Sequence, residues 1–344
     1  MLRRIPGTVF VVTLLCSVPA ACSSTAVTSE NTGYTSNPQV QVFIDRMVAR
    51  HGFSRDELIT IFSQARHRED ILELMRKPAE KRLPWYEYRK IFLTKSRIDG
   101  GVAFWNRHAR LLAKAENELG VDAQVIVAII GVETRYGGNT GSHQVLDALS
   151  TLAFDYPPRS EFFSSELEQY LILSREEDID VLNTKGSYAG AMGYGQFIPS
   201  SYRRFAIDFD QDGKRDLWDS PADIVGSVAN YLHVHGWTAG TTVAARAKVS
   251  GDSYQALLER GLKPETLVKD LRRDGITPVT AVPEDALATL ISLEDKDGPE
   301  YWLGLNNFYV ITRYNHSPLY AMAVYQLSEE IRQTREHAHQ IRNE

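Results

Sequence analysis

The sequence predicts a mainly α-helical protein with a small β-containing part, which makes it an α+β fold dominated by helices. Apolar residues recur at helical spacing through much of residues 39–237 and again over residues 317–340. Runs that favour strands are confined to residues 241–312. The chain has 344 residues, of which 43% are hydrophobic and 24% charged. This apolar content is enough for one large domain or two to three small ones.

The first residues have the pattern of an export signal. Arg3 and Arg4 form a basic start, a short apolar run follows, and Ala20 and Ala21 offer a small-residue cleavage site. The apolar run is shorter than an ordinary membrane-spanning helix. We therefore expect residues 1–21 to be a signal peptide that is removed on export.

Cys22 stands where a lipid anchor would be attached. The segment around it resembles a bacterial lipoprotein cleavage site, although Pro19 occupies the place where leucine is usual. The alternative is ordinary signal cleavage that leaves Cys22 as a free thiol. Residues 22–38 are rich in Ser, Thr and Asn, and we expect them to form a flexible tether.

Charge and cysteine content exclude several classes of protein. Cys16 lies inside the predicted signal, so no disulfide can form within the mature fold. Without residues 1–21 the chain has 36 basic and 44 acidic residues, a formal net charge of −8. An acidic chain without a basic tract is not expected to bind nucleic acid.

Residues 39–114 are expected to form a helical domain. Val40, Phe43 and Met47 belong to one apolar stripe, and residues 54–57 have the pattern of a helix start. An aromatic-dense segment follows at residues 85–92. The apolar residues after it, from Trp105 to Ala115, predict one continuous helix that ends at Gly120.

Glu133 is the most informative residue of the next segment, residues 115–237. It follows an almost wholly apolar run, residues 125–132, which predicts a buried helix with Asp122 as its N-cap and residues 136–138 as its end. Burial and the negative end of the helix dipole both raise the pKa of a carboxyl group. A glutamic acid that keeps its proton near neutral pH suits a general acid. The alternative is a glutamate that caps the helix into solvent or pairs with Arg135.

The acidic segment 208–219 matches the spacing of a twelve-residue calcium loop. Acids occupy positions 1, 3, 5, 9 and 12, a glycine supplies the turn at position 6, and a lysine can offer its carbonyl at position 7. Asp219 stands where glutamate is usual, which leaves the affinity and the identity of the metal open. A solvated acidic turn is the alternative. The predicted ligands of a structural Ca²⁺ are Asp208, Asp210, Asp212, Lys214, Asp216 and Asp219.

Residues 186–201 form a Gly- and Ala-rich segment with isolated polar groups. Small residues let a long ligand approach the backbone, and Ser187 and Gln196 can supply directed hydrogen bonds. A plain glycine-rich turn is the alternative for this segment taken alone.

The last third of the chain changes character twice. Residues 238–305 are expected to form a small β-containing domain, with strands at residues 242–249 and 288–293 and two short helices between them. Residues 306–344 are expected to return to the core as a strand, at residues 308–312, followed by a helix.

Taken together, these segments resemble the membrane-bound lytic murein transglycosylase B family. The resemblance runs from about residue 40 to 330 and includes, in order, the Glu133 segment, residues 187–201, the acidic loop and residues 314–320. It implies a lysozyme-like catalytic core at residues 115–237 beside the helical and β-containing domains. It also implies cleavage of the β-1,4 bond between N-acetylmuramic acid and N-acetylglucosamine in peptidoglycan, with a 1,6-anhydro product.

The same resemblance implies the roles of individual residues. Glu133 matches the catalytic acid and base, and Ser187 and Gln196 match positions that hold the sugar and its N-acetyl group. Arg159 falls where the family often has two adjacent basic residues, and only one is present here. For each tyrosine, core packing is the alternative. The remaining substrate-binding matches are Tyr88, Met192, Tyr231, Tyr314, Asn315 and Tyr320.

The expected partner is the peptidoglycan glycan strand, and the expected state is a monomer without an organic cofactor. The expected location is the periplasmic face of the outer membrane if Cys22 is acylated, and the soluble periplasm otherwise. Two other functions stay open at this point. One is a lysozyme-type hydrolase on the same fold, and the other is a non-catalytic wall-binding lipoprotein.

Overall fold

The computed structural model describes residues 33–76 and 83–343. The predicted signal peptide, Cys22 and most of the predicted tether therefore lie outside the described residues. The described part is dominated by helices, as the sequence predicts. The helices are α1 (Pro38–His51), α2 (Arg55–Gln64), α3 (Glu69–Arg76), α4 (Trp85–Phe92), α5 (Lys95–Arg107), α6 (Ala109–Leu119), α7 (Ala123–Thr134), α8 (Val145–Asp155), α9 (Ser160–Glu176), α10 (Pro199–Phe205), α11 (Pro221–Val234), α12 (Gln255–Leu258), α13 (Val268–Leu271), α14 (Asn306–Tyr314) and α15 (Pro318–Asn343).

The helix α7 lies at the centre of the helical part. Its residues are apolar nearly all round, and those from Val125 to Thr134 are all buried. It packs against α5, α6, α11 and α15, while α8 and α9 pack against each other. One hydrophobic core joins these elements and extends from Tyr34 to Ile331. Within the described residues, no helix is both long enough and apolar enough to span a bilayer.

Two small sheets complete the fold. The strands are β1 (His143–Gln144), β2 (Lys185–Gly186), β3 (Ala244–Val249), β4 (Thr266–Leu267), β5 (Ile276–Pro278), β6 (Leu287–Asp295) and β7 (Gly298–Gly304). The first two pair with each other, and the other five form an antiparallel sheet in the order β4-β6-β7-β3-β5. This larger sheet has a hydrophobic core of its own, which includes Leu271, Ile276 and Leu303. The strands predicted at residues 242–249 and 288–293, and the short helices between them, are confirmed.

The strand predicted at residues 308–312 is wrong, because this segment lies within α14. Its residues are aromatic and β-branched, which favours a strand by propensity. Phe308 and Ile311 are fully buried at helical spacing, and α14 packs against α11 and α15. Tertiary packing therefore overrides a weak β preference.

Residues 34–38, which the sequence assigns to the tether, belong to the fold. Residues Tyr34–Ser36 form a 3₁₀ turn, and α1 begins at Pro38. Tyr34 is 6% exposed, and its hydroxyl donates a hydrogen bond to an Asp155 carboxylate oxygen at 2.5 Å. The sequence prediction was wrong here because polar residues surround a single buried aromatic anchor.

Two helix boundaries also differ from the predictions. The single helix predicted to end at Gly120 is divided into α5 and α6 at His108. Asp122 occupies the N-cap position of α7, yet its side chain makes no cap hydrogen bond. Its carboxylate instead accepts hydrogen bonds from Trp237 Nε1 at 2.8 Å and from the Gly240 backbone N–H, so it ties the start of α7 to the segment that follows α11.

Candidate active site

Glu133 lies in the last turn of α7 and is 2% exposed. The helix ends directly after it, because Arg135 and Tyr136 adopt the left-handed conformation, with φ of 52° and 60°. Arg135, which caps the helix, therefore lies one residue before the predicted end at residues 136–138. The burial of Glu133 excludes the alternative of a carboxylate that caps the helix into solvent.

Two buried tyrosines, Tyr320 and Tyr314, lie close to the Glu133 carboxyl group. Tyr320, at the start of α15, is fully buried and donates a hydrogen bond from its hydroxyl to Glu133 Oε1 at 2.5 Å. Burial raises the pKa of Tyr320 and of Tyr314 well above the ordinary tyrosine value, and the negative charge of Glu133 adds to this effect. Both phenols therefore stay protonated over the working pH range and serve as neutral hydrogen-bond donors.

Tyr314 joins this group to the glycine-rich segment. Its hydroxyl donates a hydrogen bond to the Gly195 carbonyl oxygen at 2.5 Å. Its ring lies 4.7 Å from that of Tyr231, centroid to centroid, and 5.7 Å from that of Phe197. The Tyr231 hydroxyl in turn donates to the Arg313 carbonyl oxygen at 2.5 Å. The structure thus places Tyr231 within a buried aromatic cluster next to Tyr314.

Ser187 and Gln196 both lie in the glycine-rich segment and both are buried. The Ser187 Oγ accepts hydrogen bonds from the backbone N–H groups of Ala189 and Ala191, which fixes the loop between them. Gln196 has a φ of 49°, and its Nε2 donates to the carbonyl oxygens of Gly193 and Thr140 at 3.0 and 3.1 Å. A left-handed backbone conformation is strained for glutamine, and here two side-chain hydrogen bonds fix it. Such strained residues are typical of functional sites.

The other predicted substrate-binding residues lie in three places. Met192 is fully buried and bridges to Phe197 through two backbone hydrogen bonds. Tyr88 on α4 is buried with its ring 5.2 Å from that of Phe92. Asn315, directly after α14, accepts a hydrogen bond from the backbone N–H of Ser317.

Arg159 occupies a different part of the fold, in the 3₁₀ turn between α8 and α9. Its guanidinium lies over the rings of Phe162 and Phe163, 4.3 and 5.1 Å from their centroids. Burial lowers its pKa, and the Glu166 carboxylate acts in the opposite direction.

The acidic loop follows α10 and folds on itself as a metal loop does. The carboxylate oxygens of Asp208, Asp210 and Asp212 lie within 4.8 Å of one another. Gly213 has a φ of 93° at the sharp turn, and its N–H donates to Asp208 Oδ2. Asp223 was missed by sequence reasoning, although it is fully buried and accepts hydrogen bonds from the backbone N–H groups of Phe209 and Asp216. The donor set is all oxygen and clusters at one point, which fits a hard divalent cation.

Hydrogen bonds connect this loop to the end of α7. The Leu217 carbonyl oxygen in the loop accepts a hydrogen bond from the Tyr194 N–H at 2.9 Å. The Tyr194 carbonyl oxygen accepts another from Thr134 Oγ1 at 3.0 Å, and Thr134 directly follows Glu133. Gly193 packs so closely on Leu217 that an added Cβ would lie 2.6 Å from its carbonyl oxygen. The turn that contains Gln196 is therefore held between the acidic loop and α7.

Glu133 is the buried carboxylate next to these tyrosines. Among the described residues four other acids are buried, and each is held by a different part of the fold. Asp147 accepts from the Arg66 N–H, Glu166 from the N–H and Oγ of Ser200, Asp223 from the acidic loop, and Glu300 from Arg246 and Trp302. This arrangement suits chemistry that needs one acid group, which can first give a proton and then take one.

Comparison with known proteins agrees with this geometry. A family model described as "Transglycosylase SLT domain" matches residues 35–329. The chain is 46% identical over 307 residues to the membrane-bound lytic murein transglycosylase B of Escherichia coli strain K12, covering 87% of this chain and 84% of that protein.

Solved structures show the same similarity. The E. coli lytic transglycosylase SLT35 in complex with calcium matches with a TM-score of 0.80 and 45% identity, over 89% of this chain and 96% of that one. SltB3 from Pseudomonas aeruginosa, in complex with NAG-anhNAM-pentapeptide, matches with a TM-score of 0.77 and 32% identity, over 86% of this chain and 78% of that one. The buried glutamate, the lysozyme-like helical fold and these matches lead to one conclusion: the chain belongs to the transglycosylase SLT family and is a peptidoglycan lytic transglycosylase.

Proposed function

We propose that this enzyme cleaves the β-1,4 bond between N-acetylmuramic acid and N-acetylglucosamine without water, and that Glu133 is its single acid and base. The observation that carries the proposal is the Glu133 carboxyl group, which is buried at the end of α7 and hydrogen-bonded to Tyr320. Burial disfavours the charged form of a carboxyl group, so this position favours the proton that a general acid must supply.

The reaction has two proton transfers at one carboxyl group. Glu133 first donates its proton to the glycosidic oxygen, and the N-acetylglucosamine leaves with that oxygen. The bond to C1 of the muramic acid breaks, and the oxocarbenium-like centre is supported by the N-acetyl group of the same sugar. The ionised Glu133 then takes the proton of the C6 hydroxyl while O6 bonds to C1. The attacking group belongs to the bound sugar, so its high effective concentration lets it outcompete water.

The residues around Glu133 would hold the sugar during these steps. Tyr320 would orient the carboxyl group through its hydrogen bond, and the hydroxyl-to-carbonyl bond of Tyr314 would fix the segment that contains Gln196. Aromatic rings suit the apolar faces of sugar rings. The residues proposed to contact the substrate are Tyr88, Arg159, Ser187, Met192, Gln196, Tyr231, Tyr314, Asn315 and Tyr320.

The mass of the released muropeptides tests the reaction. We expect products that end in a 1,6-anhydro ring, each lighter by one water than the product of hydrolysis. The measurement is mass spectrometry of fragments released from purified sacculi, with a hydrolytic lysozyme as the reference digest. Products that all carry the additional water would identify a hydrolase instead, and sacculi that bind the protein without releasing fragments would identify a binding protein.

The acidic loop is proposed to hold a structural Ca²⁺. The three converging carboxylates support this, and a solved relative carries calcium in its complex. The residues that would bind the ion are Asp208, Asp210, Asp212, the Lys214 carbonyl, Asp216 and Asp219. When bound, the ion would supply charge neutralisation for the five carboxylates and stiffen a fold that has no disulfide.

The N-terminus is proposed to attach the enzyme to the outer membrane, facing the periplasm, through an acylated Cys22. Support comes from the sequence around Cys22 and from the E. coli relative, whose name describes it as membrane-bound. We expect the wild-type protein to sediment with membranes and the Cys22→Ala variant to remain in the periplasmic extract. Equal partitioning of the two proteins would exclude the anchor. The monomeric state and the division into domains at residues 39–114, 115–237 and 238–305 remain predictions.

A further inference from the structure

A buried cation contacts the end of the helix that carries Glu133. Arg97 is the third residue of α5 and is 7% exposed. Its guanidinium donates hydrogen bonds to the carbonyl oxygens of Gly131 and Val132, the two residues directly before Glu133. A third hydrogen bond leads to the Ile91 carbonyl oxygen, and the guanidinium lies over the ring of Phe92. The charge is therefore buried and is fixed by backbone acceptors.

The hydrogen-bond pattern at the end of α7 explains why a cation is needed there. Where the chain leaves the helix, the Arg135 N–H donates a hydrogen bond to the Gly131 carbonyl oxygen. The Tyr136 N–H donates to the Ile130 carbonyl oxygen. Because the Tyr136 N–H is turned to Ile130, it does not serve the Val132 carbonyl oxygen as it would in a longer helix, and Arg97 donates to the carbonyl groups of Gly131 and Val132. They also form the negative end of the helix dipole, which a cation stabilises. Arg97 supplies both the donors and the charge.

Tyr136 also holds α5 against the end of α7. Its hydroxyl donates a hydrogen bond to the Arg97 carbonyl oxygen at 2.8 Å. Its ring fills a slot over three glycines, since a Cβ added at Gly100, Gly101 or Gly131 would lie within 2.9 Å of the Tyr136 side chain. These contacts fix α5 against the last turn of α7.

We propose that Arg97 is a positioning residue for the reaction: by binding the carbonyl groups at the end of α7, it holds the Glu133 carboxyl group in place and sets its acidity. This rests on the proposed role of Glu133 as the acid. Arg97 acts through the helix, and its positive charge favours the ionised form of a carboxyl group, whereas burial and the helix dipole favour the protonated form.

Arg135, an exposed residue directly after α7, is a second cation at this end of the helix. The neighbours on α14 and α15 are the neutral phenols of Tyr314 and Tyr320. Burial also lowers the pKa of His316, with Arg313 acting in the same direction. Several charged groups of the elements packed against α7 are held by other partners. They include Lys95 with Asp99 on α5, Glu329 with Arg332 on α15, Asp223 and His233 on α11, and His235 directly after α11, while Arg107 on α5 is exposed.

The sign of the expected effect follows from the reaction. The acid must be protonated, so the rate falls as pH rises through the pKa of Glu133. A cation nearby lowers that pKa. Removal of the Arg97 charge should therefore move the alkaline limb of the pH–rate profile to higher pH, by about one pH unit or more.

The test compares three variants in the full-length enzyme. We expect Arg97→Gln to show this shift in kcat/KM and Arg97→Lys, which keeps the charge but loses the planar fork, to show a lower kcat with the limb at its wild-type pH. The matched control is Arg107→Gln, which removes an exposed charge from the same helix. It should change neither kcat nor the pH of the alkaline limb. The proposal would be overturned if Arg97→Gln lost the same fraction of its rate at every pH, with the alkaline limb at its wild-type position. If Arg97→Gln does not fold, Arg97→Lys decides, because a wild-type kcat in that variant would equally overturn it.

A direct titration separates this inference from the proposed function. The carboxyl ¹³C signal of Glu133, assigned by its absence in Glu133→Gln, should titrate at higher pH in Arg97→Gln than in wild type. An identical titration in the two proteins would overturn the role of Arg97 alone. Turnover that survives in Glu133→Gln would overturn the proposed function, whatever the titration shows.

Discussion

Glu133→Gln should lose peptidoglycan turnover by about 10³-fold or more while it still binds sacculi. A general acid contributes roughly 10²–10⁴-fold to a rate, and here the same group is proposed to act twice. Glutamine keeps the shape of the side chain and can accept the hydrogen bond from Tyr320, so the fold should be retained. The measurement is the rate of anhydromuropeptide release, together with cosedimentation of the variant with sacculi.

Glu166→Gln is the matched control for that experiment. Glu166 is also a buried glutamate, but its carboxylate oxygens bind the N–H and Oγ of Ser200 at the start of α10. Burial raises its pKa, and the hydrogen bonds from Ser200 oppose this shift. We expect this variant to be less stable by about 1 kcal/mol, since one charge-assisted bond is weakened, and to keep activity within a few-fold. If both variants lost activity alike, buried glutamates in general rather than Glu133 in particular would be responsible.

Removal of calcium should lower the thermal stability of the enzyme by about 5 °C or more. A ligand present at a hundred times its Kd stabilises the native state by about 2.7 kcal/mol, and a chelator removes that contribution. The loop contains Leu217, whose carbonyl oxygen holds the turn that leads to Gln196. We therefore expect the affinity for glycan fragments to fall as well, in the Glu133→Gln background where no turnover interferes. Calorimetry with and without chelator, and a binding titration in both conditions, give the two values.

Variants of the loop identify the site of this effect. Asp210→Asn removes a charge from the carboxylate cluster and should make the melting temperature insensitive to calcium. Asp219→Glu gives the last position the longer side chain of the usual loop and should raise the affinity for Ca²⁺. The control is Asp252→Asn, an exposed acid of the small β-containing part. A wild-type response to chelator in Asp210→Asn would place the bound metal elsewhere.

The parts of the site that the sequence predicts are those encoded by short-range patterns. The apolar run before Glu133 predicts a buried helix because nearly every position is apolar. The acidic loop can be predicted from the sequence because the ligands of a calcium loop have a fixed spacing. Both features are in the structure, the first as α7 and the second as three converging carboxylates.

The parts that were missed depend on contacts between distant segments. Arg97 lies 36 positions before Glu133, and no local pattern marks an arginine that will bind another helix. Residues 308–312 become helical because α11 and α15 bury them. Gln196 adopts a left-handed φ through its bonds to Thr140 and Gly193. Such features require the neighbouring elements to be placed first.

The burial of Tyr34 bears on where the enzyme can work. Tyr34 lies twelve positions after Cys22 and is fixed to α8 through Asp155. A fully extended chain of that length spans at most about 40 Å. If Cys22 carries a lipid, the catalytic body is confined to a shallow zone beside the bilayer, and only the layers of wall that enter this zone come within its reach.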